Sequence, residues 1–96
     1  MLAVTDHTCR ERGNVDADCF DGYVAELDAE AERARRLYDL LVVPGVELTY
    51  DDPDPALAGH ALAIGLRTHA DVAGGLENAL RAARAHGAAL VAAHPY

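Results

Sequence analysis

Four short stretches of this chain each set a metal-ligating side chain at the edge of an apolar run: Leu2 to His7, Val43 to Glu47, Gly59 to Gly65 around His60, and Leu90 to His94. Imidazole nitrogen and carboxylate oxygen are the donors that a divalent cation takes, and strand ends hold them on stiff backbone. Each residue alone also has a plain structural reading. His7 can be a surface loop histidine and Glu47 a solvated carboxylate, while His94, extended by the following Pro95, can cap the core. Glu47 has a further use, because a carboxylate can bridge two cations. His69 and His86 read as structural or exposed, at a helix start and a helix C-terminus. Cys9 and Cys19 match no zinc-finger or redox spacing and read as free thiols.

The elements that would position these residues follow from periodicity. Leu2 to Thr5 reads as a buried strand, and the polar segment Asp6 to Asp18, with Gly13-Asn14 as its turn, reads as a loop. Asp18 or Asp21 is placed to cap a helix from Phe20, where Tyr23, Val24, Leu27, Ala31, Ala34, Leu37 and Leu41 keep helical spacing. Its charged residues form a solvated face. Leu40 to Thr49 predicts a second strand, in which Pro44-Gly45 argues for an edge position or a bulge. If the acidic stretch Asp51 to Gly59 is a hairpin turn, Glu47 and His60 share one rim of the sheet. His60 to Leu66 predicts a third strand, Asp71 to His86 a helix stopped by Gly87, and Ala88 to Ala93 a fourth strand. A simple parallel strand-helix-strand unit would then put His60 and His94 at opposite ends of the sheet.

The order is β-α-β-β-α-β, an α/β class in one domain spanning residues 1–96. Two helices cannot easily shield both faces of four strands, so exposed sheet edges are expected, with self-association as one way to cover them. Sixteen acidic against eight basic residues give a net charge of −8. That charge disfavours broad contact with a phosphate backbone, although bound cations reverse the local sign within a pocket. No apolar run approaches the roughly 20 residues that span a bilayer, and the N-terminus has no signal-peptide pattern. The chain reads as cytoplasmic.

Taken together, Thr5-Asp6-His7, Pro44-Gly45-Val46-Glu47, Gly59-His60-Ala61-Leu62-Ala63-Ile64-Gly65 and Ala93-His94-Pro95-Tyr96 resemble the PHP (polymerase and histidinol phosphatase) superfamily of metal-dependent phosphoesterases. The run Glu77-Asn78-Ala79-Leu80-Arg81-Ala82-Ala83-Arg84 leading to Ala-His-Pro is similar too. The resemblance covers essentially the whole chain, as the central part of a distorted (β/α)7 barrel. It implies that Glu47 bridges two ions, that His60 and His94 complete one of these, and that His7 ligates a separate ion. Catalysis would then rest on Glu47 and His7, with zinc, manganese, iron or magnesium as cofactor and a small phosphorylated molecule as substrate. The implied reaction is phosphoester hydrolysis by metal-activated water. The family's opening His-x-His and closing Asp-x-His are not in this sequence, and the opening Met-Leu-Ala-Val-Thr-Asp-His reads as the middle of a longer frame. The alternative reading is a non-catalytic remnant that binds one divalent ion or serves only in assembly.

Overall fold

The computed structural model describes residues 1–9 and 17–93, with the backbone alone for residues 7–9. The Gly13-Asn14 turn and His94 lie outside the described residues, as do the side chains of His7 and Cys9. Six elements follow in the expected order: β1 (Leu2–Cys9), α1 (Phe20–Tyr38), β2 (Val42–Tyr50), β3 (Gly59–Ile64), α2 (Leu76–Ala85) and β4 (Ala89–Ala92). The strands form one sheet in the order β1-β2-β3-β4, so the fold is α/β with two helices on a four-stranded sheet. β1 pairs with β2 in parallel, and both other pairings are antiparallel.

Both helices lie on the same face. Alternation along β2 and β3 sends Val46, Leu48 and Ala63 to one side, where they join Phe20 and Val24 of α1 and Ala79 and Ala83 of α2 in a single core. Leu66, Ala70 and Val72 of the β3–α2 connection complete this core. The opposite side of the same strands carries Glu47, His60, Leu62 and Ile64, and none of these belongs to the core. The helices are therefore spent on one face, and among the described residues β1 and β4 are the outer strands of the sheet. No helix among the described residues is long and apolar enough to cross a membrane.

Several boundaries differ from the sequence reading, each for a local reason. β1 continues through Cys9, so His7 belongs to the strand and not to a loop after it. The N-cap of α1 is Cys19, which makes no side-chain cap bond, and Asp21 sits in the first turn instead. That helix stops at Asp39, whose left-handed φ of 52° closes the last turn before Leu41 is reached. α2 begins five residues later than Asp71, because Gly74 and Gly75 precede it and Gly75 holds a φ of 103° that only glycine adopts readily. His69 consequently lies in the connection, edge-on to Phe20 with ring centres 5.6 Å apart.

The largest correction concerns Pro44. β2 lies between β1 and β3, not at an edge. Pro44 is tolerated because β3 ends at Ile64, which pairs with Gly45. Pro44 therefore faces Gly65, beyond the ladder, where its carbonyl accepts the Gly65 N–H at 2.8 Å and only one donor is forgone. Gly45 beside it is required sterically. A Cβ there would stand 2.7 Å from the Ala63 carbonyl oxygen and 3.2 Å from Thr5 Cγ2.

Candidate functional site

Strand direction gathers the candidate residues at one rim. β2 and β4 end there and β3 begins there, because β3 runs against both of its neighbours. The Ala93 N–H donates to the His60 carbonyl at 3.2 Å, so the chain reaches the His60 end of the sheet one residue before His94. The parallel unit that would separate these two residues is not what forms. The connection from Leu66 to Gly75 carries the chain back to the rim, where Leu76 lies against Gly59; α2 leads away from it, and β4 returns antiparallel to β3. On the other side of Glu47, the β1 register sets His7 opposite it.

The contact at the centre is between Glu47 and His60. The His60 ring nitrogen Nδ1 lies 3.0 Å from Glu47 Oε1, with side-chain exposures of 29% and 13%. The second ring nitrogen, Nε2, lies 3.4 Å from Asp51 Oδ1. Sheet geometry explains both contacts. His60 pairs with Thr49, and residues 47, 49 and 51 alternate onto one face, so the two carboxylates are its diagonal neighbours across the strand pair. A neutral imidazole carries one N–H and can donate to only one carboxylate.

A nitrogen–oxygen separation of 3.0 Å is that of a hydrogen bond between the two side chains. Among the described residues no group of three or more His, Cys, Asp and Glu side chains converges in a metal-holding arrangement. What the described residues do bring together is Glu47, His60 and Asp51. The other two sequence candidates, the His7 side chain and His94, fall outside the description.

Sequence reasoning passed over two residues. Asp51 was legible in principle, since it follows Glu47 by four residues on the same alternating face. Tyr23 was placed only on a helical stripe. Its hydroxyl in fact accepts the Asp6 N–H at 3.2 Å and donates to the Gly45 carbonyl at 2.6 Å, tying α1 to both strands just below the rim. Burial pushes the Tyr23 phenol above its ordinary value, the nearby Asp6 carboxylate adds to this, and the bond from the Asp6 backbone partly offsets it. A cavity of about 560 Å³ opens between the hairpin loop and α2, lined by Tyr50, Leu57, Leu76 and Leu80 among others. It lies on the helix side of the sheet and does not reach Glu47, so this hollow and the Glu47–His60 contact are on different faces. Cys19 is exposed and forms no disulfide among the described residues.

The chain matches no protein-family model, and no curated protein matches its sequence. What it does must be argued from the rim itself.

Proposed function

We propose that this chain carries part of a metal-dependent phosphoesterase site of the PHP type, acting on a small phosphorylated molecule. The observation that supports this most is the cross-strand pair of Glu47 and His60, with nitrogen and oxygen 3.0 Å apart at the rim where β2 ends and β3 begins. Glu47 and His60 would hold the ion, with Ala93, the residue before His94 in sequence, reaching the same rim and His7 in register with Glu47. Asp51 would steady the His60 ring from its far nitrogen, the service that a second carboxylate gives a ligating histidine. A divalent ion, when bound, supplies Lewis acidity: it lowers the pKa of a water and neutralises charge on phosphoryl oxygens. The chain's own part is to present anionic and neutral donors at fixed spacing, on a face that the helices leave alone.

A second reading is a one-ion binding module without turnover. In it Glu47, His60 and His94 would serve a single ion. Pairing with another chain at the β1 or β4 edge is a third role. An aryl phosphate assayed with manganese or zinc separates these readings. Turnover that is abolished in Glu47→Ala supports the phosphoesterase, whereas one equivalent of retained metal without turnover selects the binding module. Melting that depends on protein concentration marks assembly.

A further inference from the structure

The Tyr23 hydroxyl bonds one backbone group of β1 and one of β2 within their ladder. The Leu2 N–H donates to the Leu41 carbonyl at 2.7 Å. In a parallel pair such donors recur at every second residue, so the series continues with Val4 facing Val43 and Asp6 facing Gly45. At this last step the Tyr23 hydroxyl is bonded to both groups, as acceptor from Asp6 and donor to Gly45. A phenol has one proton to give and lone pairs to receive, and both roles are used here. The ring is seated on α1 against Phe20, with centres 6.2 Å apart. The raised phenol pKa keeps the donor proton in place at neutral pH. The next residue along β1 is His7, in register with Glu47.

We propose that Tyr23 is a positioning residue, whose hydroxyl sets β1 against β2 at the rim and so fixes where His7 stands relative to Glu47. This rests on reading the rim as a cation site. Without the hydroxyl, the Asp6 N–H and the Gly45 carbonyl lose their shared tie to α1, and the end of β1 shifts against β2. The effect should reach metal affinity out of proportion to stability, because the backbone pairing of β1 with β2 remains.

The test compares wild type, Tyr23→Phe and the core control Val24→Ala, by Co²⁺ titration followed in visible absorption and by amide spectra of the metal-free proteins. Tyr23→Phe should bind Co²⁺ about 10–100-fold more weakly, with an altered absorption envelope and shifted amides at Asp6, His7 and Gly45 to Glu47. Val24→Ala should melt earlier yet keep its Co²⁺ affinity. Wild-type affinity in Tyr23→Phe with those amides unmoved overturns the proposal. If wild type takes up no Co²⁺, the reading of the rim fails, and the amide shifts alone decide whether Tyr23 sets the strands. Should Tyr23→Phe not fold, the wild-type Gly45 carbonyl carbon resonance must move as the phenol ionises above pH 10, and its constancy would count against the proposal.

Discussion

One sheet presents two unlike faces. Toward the helices, Val46, Leu48 and Ala63 meet Phe20, Val24, Ala79 and Ala83, and the packing is apolar and closed. On the reverse, the residues between them in sequence, Glu47, His60 and Leu62, stay outside that core. The strand period of two divides a single strand between the faces: Val46 and Leu48 hold the core while Glu47, between them, turns to the other side and meets His60. Substitutions on the helix face should therefore cost stability, and substitutions on the reverse face should cost binding.

The sharpest way to break this comparison is Phe20→Ala. Phe20 is almost fully buried at the start of α1, and its truncation should remove about 3–5 kcal/mol in urea unfolding. A loss below about 1 kcal/mol would mean that α1 does not close the core. Gly45→Ala comes next, expected to cost about 1–3 kcal/mol through overpacking against the Ala63 backbone. It stands between the faces and should disturb both stability and the rim.

Tyr23 gives a smaller effect with a defined pH window. Its folded pKa lies above the unfolded value of 10.0. Its contribution is therefore complete below pH 10 and is lost as pH rises through the folded pKa. Alkaline unfolding curves should show this decline in wild type and lack it in Tyr23→Phe, which should itself lose about 1 kcal/mol at neutral pH. The smallest effect belongs to the exposed pair of Arg67 and Asp28, 2.6 Å apart. The bond from Arg67 holds the Asp28 carboxyl below its ordinary 3.8. Asp28→Asn should matter least, its effect should shrink with added salt, and wild type should lose this contribution only as pH falls below that value.

Much of the rim could be read from residue order. The helical stripe from Phe20, the acidic turn between Glu47 and His60, and the shortage of helices for four strands all rest on local pattern, and each corresponds to what forms. Pro44 misled because its cost depends on where β3 stops, which is a property of the partner strand. The meeting of the His60 and Ala93 ends was hidden because the direction of β4 is decided by the long connection from Leu66 to Gly75. α2 was overextended, since Val72 supports helical spacing although it packs in the core before the two glycines. Tyr23 escaped notice because its hydroxyl acts on backbone groups 17 and 22 residues away, a reach that no periodicity encodes.

The central claim is that Glu47 and His60 form a cation site across β2 and β3. Equilibrium dialysis against Mn²⁺ and Zn²⁺, on wild type and Glu47→Gln, tests it most directly. The account predicts saturable uptake by wild type and its loss in Glu47→Gln, with the variant's urea midpoint little changed. Equal uptake by both proteins, or none by either, would contradict it.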